Sequence, residues 1–206
     1  MANRIFDPEG FAWKPFGFIA DILLLSLLWL LCSLPVFTLG ASATALYDAV
    51  SHSFHFHEPE VFSRFLRTFK REFKLATLTF LALGAVWAAC FFALRLFIGA
   101  AGVSSLSYAA AVAGLFLMLL PTGVLCWAFP LLSRFGFDPK SLCVTAVRLS
   151  MAKLPSTLGM AMSAVLAVYL CLRFIVPVIF LPALLALFHS VFLERVFRQY
   201  MPEKEE

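Results

Sequence analysis

Charge is the scarcest commodity in this 206-residue chain: 14% of residues are Asp, Glu, Lys or Arg, against 62% hydrophobic. Soluble domains run near 25% and 45–50%, so water is the wrong solvent for most of the sequence. The nucleophile elbow, the P-loop, the dinucleotide fingerprint and HExxH are all missing, which leaves an enzymatic reading without a motif. Five cysteines show no CxxC spacing, so neither a disulfide framework nor a thiolate metal site is expected, and no cofactor follows from the composition.

What is present is long apolar runs. Residues 18–39, 75–97, 106–132, 155–172 and 175–193 each hold at most one Asp, Glu, Lys, Arg or His. A hydrocarbon core about 30 Å thick needs roughly 20 apolar residues in helix, and lipid leaves a bare backbone no other way to satisfy its hydrogen bonds. The expected fold is an all-α polytopic transmembrane helical bundle forming one domain. The first run exceeds the h-region of a signal peptide and reads as an uncleaved span.

A shorter, partly polar helix at 41–57 decides the count: six spans if it crosses, five as the alternative. With six, both termini and every Lys and Arg except Arg95 and Arg173 fall on one side, which the positive-inside rule makes cytoplasmic. Small-residue stripes at Ala85, Ala89 and Ala93 and at Gly159, Ser163 and Ala167 point to close helix packing.

Two basic segments, 61–74 and 137–154, precede spans as amphipathic cytoplasmic helices. In the first, VFSRFLRTFKREFK, Phe62, Phe65, Leu66, Phe69 and Phe73 share one face. Arg64, Arg67, Lys70, Arg71 and Lys74 share the other. Nucleic-acid binding interleaves aromatics with cations as stacking platforms, and the segregation here excludes that partner. The cationic face suits anionic headgroups of the lipid bilayer or a protein partner, or simply extends the following span and fixes its topology. Asp138 is placed to cap a helix starting at Pro139.

Ionisable residues at membrane depth are costly unless paired or hydrated. Asp21, Asp48, Arg95, Arg173 and His189 qualify, with Arg95 and Arg173 able to snorkel. Asp48 and His189 are the two least easily explained, either as helix-to-helix hydrogen bonds or as part of a polar pathway. The run HSFHFHE offers His52, His55, His57 and Glu58; its spacing matches no standard zinc site, so a polar loop is expected, with a metal site as the alternative.

At LLWLLCSLPVFTLGASATALYDAV, residues 27–50, the chain resembles the YesL-like family of bacterial integral membrane proteins, grouped as domain of unknown function 624. Pro35, Thr38, Gly40, Ala41, Ala45, Leu46 and Tyr47 carry the likeness. FLRTFKREFKLATL, FPLLSRF and LPALLALFHSVFLERVF extend it along the chain. The resemblance implies a multi-pass protein of the bacterial cytoplasmic membrane. It also implies an association with carbohydrate uptake, hence a non-enzymatic accessory or scaffold whose partners include carbohydrate ABC transporter components. An autonomous small-solute transporter or channel is the alternative, and a membrane metal-dependent enzyme the second alternative.

Overall fold

A computed structural model describes residues 14–56, 60–100, 105–135, 138–174 and 176–200. Among these the chain is all-α, with seven α-helices: α1 (Lys14–Ser33), α2 (Leu39–Phe56), α3 (Val61–Ala100), α4 (Ser105–Arg134), α5 (Pro139–Ala152), α6 (Leu154–Arg173) and α7 (Leu181–Tyr200). Three contain stretches long and apolar enough to cross a membrane, within Val61–Leu96, Val112–Arg134 and Leu154–Arg173; the apolar part of α1, Ile19–Ser33, is shorter.

Several expected boundaries move, each for a local reason. The run 18–39 is not one helix. Pro35 cannot donate to a helical ladder, so α1 stops at Ser33 and a 3₁₀ turn, Val36–Thr38, leads into α2. The turn satisfies its own backbone: Thr38 N–H donates to the Pro35 carbonyl at 2.9 Å, and the Thr38 hydroxyl lies 2.5 Å from the Cys32 carbonyl. The run 175–193 likewise begins with a 3₁₀ turn at Val176–Ile179, and α7 starts only at Leu181. Pro121 and Pro130, by contrast, sit inside an unbroken α4.

The basic segment 61–74 and the apolar run 75–97 form a single helix of 40 residues, about 60 Å long at 1.5 Å per residue. That is twice a hydrocarbon core. The segment is therefore a rigid extension of the span rather than a separate helix lying flat. In the second basic segment α5 and α6 meet at Lys153, with Pro155 in the first turn of α6. Asp138 does occupy the N-cap of α5, but its side chain makes no capping bond there.

From α1 to α4, successive helices run antiparallel. Asp21 on α1 reaches Ser53 on α2. Asp48 on α2 meets Arg64 and Thr68 on α3. Phe80 faces Phe129 with ring centroids 6.4 Å apart, and Trp87 donates to Thr122 across α3 and α4 at 3.2 Å. α2 thus lies beside the basic half of α3, while α4 lies beside its apolar half. Nearly every residue of α2 from Gly40 to Ser51 is buried, so the least hydrophobic of the candidate spans is the central helix of the fold. Its polar groups are sheltered by protein rather than left to meet lipid or water unpaired.

The stripes divide. Ala85, Ala89 and Ala93 are exposed on the outer face of α3 and a side chain added at Gly159 would meet nothing, whereas Ala167 is buried and Ser163 meets His189 of α7. Close approach is made instead at Gly40 and Gly123. A Cβ at Gly40 would lie 2.6 Å from the Ala76 carbonyl oxygen and 2.7 Å from Phe80 Cβ. Backbone cannot yield as a flexible side chain does, so Gly40→Ala forces α2 away from α3. The expected cost is about 1–3 kcal/mol, read as a lower melting temperature in detergent; an unchanged melting temperature would mean that the two helices do not approach this closely.

Candidate functional site

The charged centre of the fold is Asp48. Its carboxylate is almost fully buried, at 4% side-chain exposure, and Oδ2 accepts the Thr68 hydroxyl at 2.7 Å and Arg64 Nε at 3.1 Å. Oδ1 stands 3.4 Å from His52 Nδ1. His52 sits one turn on and also bonds the Asp48 carbonyl at 3.0 Å. A lone acid in low dielectric is held charged only by such partners. Arg64, expected on the outward cationic face, is instead drawn inward; it is partly buried, while Arg67, Lys70, Arg71 and Lys74 remain exposed. Arg71 pairs with the neighbouring Glu72 at 2.6 Å.

The phenylalanine face of α3 turns mainly to protein. Phe65 is fully buried; it stacks on Phe69 with centroids 6.3 Å apart, and Phe69 meets Phe73 edge-to-face at 5.5 Å. Phe62 is the exception, half exposed. Among the other intramembrane candidates, Asp21 is partly buried beside Ser53. Arg95 and Arg173 are exposed. Neither comes near Asp48 in the hydrogen-bond and ion-pair network.

His189 is buried on α7 and its Nε2 lies 3.0 Å from Ser163 Oγ on α6. The Ser163 hydroxyl donates to the Met160 carbonyl at 2.8 Å. Ser163 thus ties His189 of α7 to the Met160 carbonyl of α6. Asp48 and His189 therefore have separate partners and are not joined in one network.

Beside His189 lies a half-open cavity of about 560 Å³, walled by α1, α2, α4, α6 and α7. Leu46, Phe129 and Leu185 are typical of its lining; Trp29, Ser33, Tyr47, Thr122 and His189 bring polar groups. Asp48 is not on the wall.

The histidine run yields no metal centre in the part that can be seen. Among the described residues no group of three or more His, Cys, Asp or Glu is placed to hold an ion. His57 and Glu58 lie outside the described residues, and the His55 side chain is not described. All five cysteines are unpaired.

Of the residues first read as a family-like motif, Pro35 is exposed at the turn and Thr38 bonds it, while the rest are packed inside. Ala41 and Ala45 are fully buried against the packed helices, Gly40 makes the close approach, and Leu46 and Tyr47 face the cavity. Reasoning from the sequence missed the partnership of Arg64 with Asp48. A signal existed: Arg64 and Thr68 sit one helical turn apart, as do Asp48 and His52, so each helix offers a polar pair on one face. Ser163 as the partner of His189, and Thr157 as that of Trp127, had no comparable signal.

Comparison with known proteins agrees with the resemblance. Residues 22–94 match the model of a family described as protein of unknown function, DUF624, a stretch covering the end of α1, all of α2 and most of α3. No curated protein and no solved structure matches the chain.

Proposed function

We propose that this is a non-enzymatic, multi-pass accessory or scaffold protein of the bacterial cytoplasmic membrane, docking through its basic end. One observation carries the reading. Four cations, Arg67, Lys70, Arg71 and Lys74, stand exposed along a rigid helical extension whose other side, Phe65, Thr68 and Ala76, is buried. Arg64 is the internal exception, so the outward face is not a mere by-product of helix solubility. α5 adds a second surface at the same kind of boundary, burying Leu142, Ala146 and Leu149 while exposing Lys140, Val144, Val147, Arg148 and Met151. Cations mixed with exposed apolar side chains suit a headgroup layer or a partner seated there.

The antiparallel α1–α2 hairpin returns α2 to the side on which α1 began, as six crossings with both termini cytoplasmic require, but α2 packs along the basic half of α3 and reaches only Ala76 and Phe80 at Gly40, which counts against a full crossing by α2. Five crossings, with α2 not counted, is the alternative. The partner to test first is a carbohydrate ABC transporter component, on the strength of the family resemblance. The autonomous-transporter reading needed Asp48 on a hydrated path; its burial against Arg64 and Thr68 supports a structural role instead.

Tagged protein extracted from native membranes in mild detergent is expected to bring a transporter subunit with it in stoichiometric amount. Each cation close to an anionic surface is worth about 1 kcal/mol, so replacing Arg67, Lys70, Arg71 and Lys74 together with glutamine should cut that recovery more than ~tenfold. Repeated isolation of the protein alone, or recovery indifferent to the four substitutions, would sink the docking role.

A further inference from the structure

The outer face of α5 is largely apolar, where a helix turned to water would be polar. At about 100° per residue, Leu142, Ala146 and Leu149 fall on one side of the helix. They are buried in one cluster with Trp127, Leu131 and Leu132 of α4. Opposite them, within an arc of about 100°, stand Lys140, Val144, Val147, Arg148 and Met151, all exposed. Val144 is 67% and Met151 62% exposed, so the fold itself gives neither its cover.

Depth and charge together say what covers this face. Trp127, Leu131 and Leu132 lie in the last turns of an apolar stretch long enough to span, Val112–Arg134, and the next such stretch starts at Leu154, two residues after α5 ends. α5 is thus pressed against the end of one span and joined directly to the start of another, at the edge of the hydrocarbon and not out in the cytosol. Thr157 of α6 holds it there through the carbonyls of Ser150 and Lys153, at 2.9 and 3.0 Å. Exposed apolar side chains continue past the bend at Lys153 with Leu154, Leu158 and Met162, the lipid-facing side of α6. α5 itself carries two cations and no acid. Lys140 and Arg148 are about 12 Å apart along the axis, with Val144 between them. Their long stems let the charges reach phosphates while the apolar neighbours enter the acyl boundary.

We propose that the outer face of α5 is seated in the headgroup layer and binds anionic phospholipid, whose phosphates Lys140 and Arg148 meet. This rests on the proposed membrane placement and sharpens it: α5 is the lipid contact, whereas the cations of α3 remain the surface for a protein partner.

The test uses the full-length protein in nanodiscs of phosphatidylcholine, alone or mixed with phosphatidylglycerol, each lipid in turn carrying a diazirine at the head of its acyl chain. Labelled peptides are mapped by mass spectrometry. The phosphatidylglycerol probe is expected to label 140–152 about tenfold more than the phosphatidylcholine probe, and unlabelled phosphatidylglycerol to displace it. Lys140→Gln with Arg148→Gln should remove that preference at an unchanged melting temperature, since both side chains are exposed. Val144→Asp with Met151→Asp should lower labelling by both probes. Replacing the four α3 cations should leave α5 labelling as it was, so that a failure of partner docking and a failure of lipid binding are read separately. Equal labelling by the two lipids, indifferent to Lys140→Gln and Arg148→Gln, would mean ordinary lipid solvation and overturn the proposal. Label confined to α6, at Leu158 and Met162, with 140–152 bare, would place α5 in water or beneath another protein and overturn it as well.

Discussion

Replacing Arg64 with alanine is expected to lower the melting temperature of the detergent-solubilised protein by roughly 10 °C. The cause is what stays behind. Asp48 would keep the Thr68 hydroxyl at 2.7 Å and His52 near Oδ1, but would lose the guanidinium at 3.1 Å in a site 4% exposed. Removing one partner of a buried ion pair costs about 3–5 kcal/mol, because the remaining charge is neither solvated nor compensated. Arg64 is itself 28% exposed, so the lower end of that range applies. Asp48→Ala should be milder than Arg64→Ala, since a partly exposed arginine can swing to water or headgroups whereas the buried carboxylate cannot. The combination Arg64→Ala with Asp48→Asn tests the cause: neutralising the stranded acid is expected to recover at least half of the lost melting temperature. If Arg64→Ala alone melts within about 2 °C of the parent, Asp48 is not held by Arg64, and hydration of that site, with the transport role it would permit, returns to consideration.

That pair also shows where reading the chain in one dimension stops. Membrane residence, helical class and the break at Pro35 follow from local facts: run length, charge and proline's missing donor. The direction of a helical face does not. Arg64 and Arg67 differ little in sequence context, yet one turns to Asp48, sixteen residues earlier, and the other to the outside, because only the placing of α2 beside the lower half of α3 supplies an acid there. The alanines at 85, 89 and 93 have the spacing of a packing seam and face outward. They sit on the half of α3 that is paired with α4 alone, so most of its circumference is left to lipid. α2 was the hardest helix to assign because its polar residues, Asp48, Ser51 and Thr44, made it look unfit for a membrane; they are polar because they are enclosed by four other helices rather than by lipid. The cavity was invisible for the same reason. Tyr47 belongs to the family-like motif, but nothing local says that its hydroxyl is buried without a partner.

The second large effect is expected at Trp127, which lies at the junction of α4, α5 and α6. The residue is fully buried, its ring meets Phe197 edge-on at 6.5 Å, and its Nε1–H donates to Thr157 Oγ1 at 2.9 Å. Thr157 passes the bond on, its hydroxyl lying 2.9 Å from the Ser150 carbonyl and 3.0 Å from that of Lys153, at the end of α5 where helical donors have run out. One hydroxyl thus ties the interfacial helix to two apolar ones. Its methyl group is equally committed, because it occupies the space beside Gly123 where a Cβ would lie only 2.2 Å away. Trp127→Ala removes the largest buried side chain of the fold and should cost about 3–5 kcal/mol, enough to lose most folded protein during extraction. Thr157→Val separates the hydrogen bond from the packing. Valine keeps the methyl beside Gly123 and lacks only the oxygen, so about 1–3 kcal/mol should be lost to the stranded indole N–H and the α5 carbonyls. Adding Trp127→Phe to Thr157→Val removes the unpaired donor as well. If the bond matters through its unsatisfied partners, the double variant should melt at a higher temperature than the sum of the two single losses allows. Strict additivity would assign the stability of this junction to packing alone and leave the attachment of α5 to its buried Leu142, Ala146 and Leu149.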